Sequence, residues 1–201
     1  MENLRKIGQL HNTAQLATSQ ILMATLKTSI EMLKDRGYTN IQSCQTLDEV
    51  KQGMCESRCI VCGNGDRSVH IYFHNEDRVG VKQLRSWVES STADNVIVVS
   101  LEGPTAFTRK EAETQCPHVR FFLFSQLCVN ITKHSLVPKH EKVSALPMTL
   151  SAEMTEVPSL FTTDAVCQYY GYEPQSIIRI TRTVGAHEPM YYYRIVRRPP
   201  A

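Results

Sequence analysis

Asn95-Val96-Ile97-Val98-Val99-Ser100 sets four β-branched apolar residues in an unbroken run between two polar ends. A strand that faces water on one side alternates apolar with polar; a run without alternation is what a strand covered on both faces requires. The stretch therefore reads as a central strand, and its neighbours are read outward from it. Upstream, Val81, Leu84, Trp87 and Val88 recur at helical spacing. Before them Ser68 to His74 alternates, with Val69, Ile71 and Phe73 on one side and Ser68, His70, Tyr72 and His74 on the other. This predicts a half-buried strand with His70 and His74 on its open face. Downstream, Glu102-Gly103-Pro104-Thr105 forces a loop, a short polar helix begins at about Thr108, and Val119 to Phe124 reads as a further strand. Strands and helices that alternate in this way build a mixed sheet.

Farther out, Leu16, Leu22, Leu26, Ile30 and Leu33 mark one amphipathic helix that ends at Asp35-Arg36-Gly37, with glycine where a left-handed residue closes a helix. Thr46-Leu47-Asp48-Glu49 has the form of a capping box and predicts a shorter helix. From Leu136 the character changes. Pro138, Pro147, Pro158 and Pro174 punctuate short segments, and a small helix over Asp164 to Tyr170 is capped by Asp164 and stopped by Gly171. Ser176 to Arg182 and Met190 to Val196 then read as a hairpin across Gly185-Ala186-His187-Glu188-Pro189. The expected fold class is α+β/α/β, with a mixed-sheet domain over 1–130 and a small α+β domain over 131–201.

The 201 residues, 42% hydrophobic and 21% charged, are ordinary globular usage and enough for one large or two small cores. No stretch is apolar enough to span a membrane, and the N-terminus lacks the apolar core of a signal peptide. The expectation is a soluble protein in a reducing compartment, its seven cysteines held as thiols. Charge is balanced: residues 1–130 hold 14 Lys and Arg against 14 Asp and Glu, and the remainder 8 against 6. Any nucleic-acid contact must then be a local patch, because bulk charge supplies no long-range attraction.

Motifs for catalysis are scarce. Ser100 lies outside any G-x-S-x-G elbow, and neither H-E-x-x-H nor a phosphate-cradling G-x-x-x-x-G-K-[ST] occurs. Metal-dependent cleavage of nucleic acid would need carboxylates at the ends of central strands. The nearest acid-x-Lys triplet, Glu49-Val50-Lys51, falls on the expected helix, and the strands at 68–74 and 95–100 carry no acid. Cys55, Cys59 and Cys62 have the composition of a zinc site that His70 or His74 could complete. The strand-like Arg58-Cys59-Ile60-Val61-Cys62 favours buried or edge-strand thiols instead, since positions three apart on a strand point to opposite faces. His134 and His140 read as hydrogen-bonded loop residues. Tyr191 and Tyr193 share a strand face with Ile195 and favour a core or protein interface over base stacking.

Asn130-Ile131-Thr132-Lys133-His134-Ser135-Leu136-Val137-Pro138-Lys139-His140 closely resembles the junction motif of the shared fifth subunit of eukaryotic RNA polymerases, whose second domain corresponds to a small separate subunit of the archaeal enzyme. Val157-Pro158-Ser159-Leu160 stands where that family has L-P-R-I, and Asp164-Ala165-Val166-Cys167-Gln168-Tyr169-Tyr170-Gly171 where it has D-P-V-A-R-Y-x-G. Ile177 to Arg182 and Tyr193-Arg194-Ile195-Val196 resemble its last two strands. In the first half, Met32 to Tyr38, Thr46 to Glu49, Val79-Gly80-Val81-Lys82 and the 95–100 strand match as well, so the resemblance covers nearly the whole chain.

The resemblance implies an N-terminal jaw domain of nuclease-like topology without nuclease chemistry, and a C-terminal assembly domain that docks on the largest polymerase subunit. It implies no catalytic residues, no metal and no cofactor. Partner contacts are expected at Leu136, Val137, Pro138, His140, Asp164, Val166, Tyr169, Arg179, Arg182, Tyr193 and Arg194. The jaw is expected near downstream double-stranded DNA through Pro104, Thr105, Arg109 and Lys110, touching phosphates without reading sequence. The rest of the polymerase core is the implied partner, and no membrane is involved. Three departures stand out: Pro174-Gln175 replaces an R-G turn, Ala165 replaces a proline, and the region between Pro138 and Pro158 is shortened. Such drift beside a retained junction resembles the version of a large cytoplasmic DNA virus, placed in host cytoplasm and virion. A divergent protist subunit, acting in the nucleus, fits the same drift. The alternatives weighed are a zinc-binding interaction adaptor and a nuclease.

Overall fold

A computed structural model describes residues 2–43, 60–64, 67–74, 78–147, 156–183 and 188–200, with the side chains of 2–18 left aside. The capping box at Thr46, the cysteines Cys55 and Cys59, the Glu49 triplet, the Gly65-Asp66 turn and the Gly185 to His187 connection fall outside the described residues. The chain forms two compact units, Met1–Val129 and Asn130–Ala201.

The first unit opens with α1 (Glu2–Asp35), which starts well before the predicted apolar stripe. Gly37 closes it at φ +89°. There Tyr38 N–H donates to Leu33 O at 3.0 Å and Gly37 N–H to Lys34 O at 2.9 Å, so two of the last carbonyls gain partners. Five strands follow in the order β1-β2-β3-β4-β5. They are β1 (Asn40–Ser43), β2 (Ile60–Asn64), β3 (Arg67–His74), β4 (Asn95–Ser100) and β5 (Val119–Leu123). β1, β2 and β3 pair antiparallel; β3, β4 and β5 pair parallel. Helices α2 (Val81–Ser90) and α3 (Ala106–Gln115) make the two crossovers. Because successive right-handed crossovers run the same way along the sheet, both helices lie on one face. They pack Leu84, Trp87, Ala112 and Cys116 on Tyr72, Val96 and Val98.

β4 is central, as its composition predicts, with Val96 to Ser100 all buried. β3 departs from its reading: it is buried on both faces, not half-exposed. His70 and Tyr72 are 5% and 2% exposed, beside Val69 and Ile71 at 1% and 0% on the other face. Imidazole and phenol rings bury readily once their polar tips are bonded. His70 Nδ1 lies 3.0 Å from Ser91 Oγ, and the Tyr72 hydroxyl donates to Trp87 O at 3.4 Å. Tyr72 stacks on the Trp87 indole at 5.5 Å, and His74 meets the same ring edge-on at 5.4 Å. The opposite face receives α4 (Phe124–Leu127), whose Phe124 ring lies 5.7 Å from Phe73. α1 packs on α4 through Thr25, whose hydroxyl donates to Phe124 O at 3.4 Å. Some of the backbone groups at the β5 edge are taken by its own neighbourhood. Arg120 Nη1 donates to Pro117 O at 2.8 Å and to Val119 O at 3.3 Å, and Leu123 N–H donates to Gln126 Oε1 at 2.8 Å.

The second unit is a four-stranded sheet in the order β6-β8-β9-β7. Its strands are β6 (Lys139–Val143), β7 (Ser159–Phe161), β8 (Ile177–Arg182) and β9 (Met190–Arg197). β8 and β9 form the expected hairpin, closing at Arg182 opposite Met190. β6 and β7 carry no strand signal in the sequence: one is charged and the other is three residues long. Helix α5 (Ala165–Tyr170) covers one face, where Cys167 meets Ile178, Ile180 and Val196. The other face has a smaller cluster of Val157, Ile177 and Ile195 at one end. Asp164 caps α5, its Oδ1 accepting from Val166 and Cys167 N–H at 2.9 and 3.2 Å, and Gly171 ends the helix at φ +68°. Glu173-Pro174-Gln175-Ser176 is a turn closed by Ser176 N–H on Glu173 O at 3.1 Å, with Gln175 at φ +71°.

Candidate functional site

In the first unit the loop before α3 is held to the scaffold at the carbonyl of Val79. Thr105 N–H donates to it at 3.2 Å and the Thr108 hydroxyl at 2.9 Å. Thr105 also caps α3, its Oγ1 accepting from Thr108 N–H at 3.2 Å. Pro104 and Thr105 are half-buried by this anchoring, while Arg109 and Lys110 stand exposed on the first turns of α3. The DNA-proximal set thus divides into two residues that fix the loop and two that offer charge. The sequence reading missed two apolar residues on either side of the loop, Leu101 and Phe107, 53% and 80% exposed. An apolar residue beside a turn signal is easily taken for the hidden face of the next helix.

The second unit gathers most of the partner-binding set on or beside its sheet. Asn130 is its fastening. Its Nδ2 donates to the Tyr169 hydroxyl at 2.9 Å, and its Oδ1 accepts from Thr132 N–H at 3.0 Å. This ties the short 3₁₀ turn at Ile131–Lys133 to α5. Leu136 then projects outward, 84% exposed, with Val137 and Pro138 half-buried behind it. His140 Nδ1 lies 2.7 Å from Pro138 O; a carbonyl can only accept, so Nδ1 carries the proton. The Tyr172 hydroxyl donates to His140 O at 3.3 Å, and burial raises its pKa above the ordinary tyrosine value. Val166 and Tyr169, 7% and 2% exposed, are inside the unit, and Asp164 is engaged as a cap. These three residues shape α5, and the exposed members of the set are the ones with atoms to offer.

Arg179 lies between Glu141 and Tyr191. Its Nη2 donates to Glu141 Oε2 at 3.1 Å, and its Cζ lies 5.4 Å from the Tyr191 ring centroid. Lys139 Nζ holds the other oxygen of Glu141 at 2.8 Å. Lys139 and then Arg179 keep the Glu141 carboxyl below the usual carboxylate range. Arg182 lies 5.6 Å from the Tyr192 ring, Tyr193 packs half-buried on the Val157 cluster, and Arg194 is half-buried in β9.

The cysteine reading changes on the register. Cys62 stands opposite Val69, so it shares the face of Val69 and Ile71, while His70 and His74 leave from the other face. Cys62 and those histidines cannot meet at one ion. Burial pushes the Cys62 and Cys167 thiols up to about 11, the neutral, unreactive range. Among the described residues no group of three His, Cys, Asp or Glu side chains could hold a metal ion. No helix among them is long and apolar enough to cross a membrane.

These features define a class: a two-unit α+β protein whose distinctive groups are surface arginines, tyrosines and apolar side chains carried on rigid sheets. Residues 129–196 match the family described as RNA polymerase Rpb5, C-terminal domain. Over 177 residues the chain is 28% identical to the "DNA-directed RNA polymerases I, II, and III subunit rpabc1" of Dictyostelium discoideum, covering 80% of this chain and 89% of that one. It is 24% identical over 195 residues to RPABC1 of Caenorhabditis elegans, covering 85% and 92%, and 27% identical over 173 residues to "DNA-directed RNA polymerase V subunit 5A" of Arabidopsis thaliana, covering 77% and 78%. Along most of its length the chain is similar to the shared fifth subunit of DNA-directed RNA polymerases.

Proposed function

We propose that this protein is a non-catalytic subunit of a multisubunit DNA-directed RNA polymerase. The supporting observation is the similarity to fifth subunits along most of the chain, together with the family match over residues 129–196. In this reading the second unit docks on the largest polymerase subunit through Leu136, Val137, Pro138 and His140 and through the outer hairpin. Asp164, Val166 and Tyr169 keep α5 in shape behind that surface. The first unit serves as the jaw, and the loop at Pro104 and Thr105 presents Arg109 and Lys110 to the phosphates of downstream duplex. The near-neutral charge of that unit suits a part that steers DNA locally while the rest of the enzyme binds it. The protein works wherever its polymerase works: the nucleus for a cellular enzyme, the host cytoplasm and virion for a viral one.

The test is copurification. A tagged full-length chain expressed in its own cells or infected cells is expected to bring down the two largest polymerase subunits, read by mass spectrometry. Recovery of the chain without them would overturn the reading.

A further inference from the structure

The second unit is close to neutral as a whole, yet its charges are sorted. β6, β8 and β9 carry Lys139, Lys142, Arg179, Arg182, Arg194 and Arg197, against a single carboxylate, Glu141. The other acids of the described residues, Glu156, Asp164, Glu173 and Glu188, lie off the strands. Glu141 is already shared between Lys139 and Arg179. Arg179 spends Nη2 on it, and its Nε is buried without a hydrogen-bond partner among the described residues. No described carboxylate lies within ion-pair distance of Arg182 or Arg194.

The register places these groups at the outer end of the hairpin. Arg179 and Tyr191 lie diagonally on one face, and Arg182 and Tyr192 diagonally on the other, each guanidinium over its ring. Met190, Tyr191 and Tyr192 are 52%, 53% and 41% exposed around them. A guanidinium held over an aromatic ring is oriented in advance, with its fork left to receive a carboxylate. Arginine, tyrosine and methionine interleaved in this way have the composition of protein interfaces, whereas a phosphate track would favour unframed cations.

We propose that the outer end of the β8–β9 hairpin docks an acidic polypeptide segment of the polymerase that passes around the hairpin tip, its carboxylates received by Arg179 on one face and Arg182 on the other and its apolar parts by Tyr191, Tyr192 and Met190. This rests on the reading of the protein as a polymerase subunit, and it specifies the chemistry of the partner.

The test uses the tagged full-length chain in cells that contain its polymerase, with nuclease added during purification. Wild-type chain is expected to retain the large subunits at low salt and to lose at least tenfold of them as salt is raised. Arg179→Glu combined with Arg182→Glu is expected to reduce retention at least tenfold at low salt, while Lys82→Glu, at an exposed position of the first unit, leaves it unchanged. Arg182→Glu alone, at an exposed position without a carboxylate partner, keeps the test valid should the double variant melt early, and is expected to reduce retention severalfold. If wild type recovers no large subunits, the polymerase reading itself falls, and this proposal with it. If wild type recovers them and the folded charge-reversal variants do so equally, only the acidic-segment proposal is overturned. Retention abolished by nuclease would assign the hairpin to phosphates and overturn it as well.

Discussion

In the five-stranded sheet β3 and β4 turn neither face to water, whereas in the four-stranded sheet the β8–β9 hairpin ends with Met190, Tyr191 and Tyr192 about half exposed. The first sheet spends its apolar and aromatic residues on itself: Tyr72, Trp87, Val96 and Val98 close one face, and Phe73 with Phe124 closes the other. Its candidate contacts are therefore confined to a loop, held by the Val79 carbonyl and carrying charge at its rim. The second sheet is covered by α5 on one face and by a small cluster at one end of the other, and its hairpin tip stays exposed. The comparison teaches that a buried scaffold leaves recognition to its loops, while a partly covered sheet can use the strands themselves.

The largest effect that would break this contrast is expected at Leu84, fully buried under α2. Leu84→Ala should cost the first unit about 2–5 kcal/mol. Trp87 is the chain's single tryptophan, so urea unfolding followed by fluorescence reads that unit directly. An unmoved fluorescence midpoint would mean that the core is not what holds the five-stranded sheet. The next effect concerns the second unit, which has less core and depends more on single bonds. Asn130→Ala removes a hydrogen-bond partner from Tyr169 and from Thr132 and should cost about 1–3 kcal/mol. Amide hydrogen exchange should then speed up in α5 and leave α2 unchanged; equal protection in both proteins would remove Asn130 as the fastening.

The smallest effect has the opposite sign. Gln175 adopts the left-handed region, at φ +71°, after Pro174 and before the strand that it joins. That conformation costs a residue with a side chain roughly 1–2 kcal/mol, and glycine gives back about 0.5–1 in chain entropy. Gln175→Gly should therefore stabilise the second unit by roughly 0.5–1 kcal/mol, seen as a rise in Tm of the full chain. A fall in Tm would show that the glutamine side chain contributes more than its backbone costs.

Elements with local chemical punctuation were legible in the sequence. The unbroken apolar run gave β4 its place, Gly37 gave the end of α1, and Asp164 and Gly171 marked both ends of α5. The reading failed where a residue's polarity misstates its burial. His70 and Tyr72 count as polar in an alternation, but a hydroxyl or carbonyl within reach lets them go inside. Short strands failed for another reason: β1, β6 and β7 owe their existence to a paired neighbour, and their own composition carries no signal. Among the candidate contacts, the motif could not say which side of a six-residue helix faces in. Val166 and Tyr169 therefore prove interior, and Phe107 on α3 proves to be the exposed neighbour of Arg109.

Arg120 and Gln126 occupy backbone groups along β5 that an edge strand would otherwise offer to any strand alongside. A subunit must be synthesised and folded before its complex is assembled, and in that interval it meets many copies of itself. Two ordinary side chains, turned back on their own backbone, reduce what that edge offers to a neighbour while the chain waits alone.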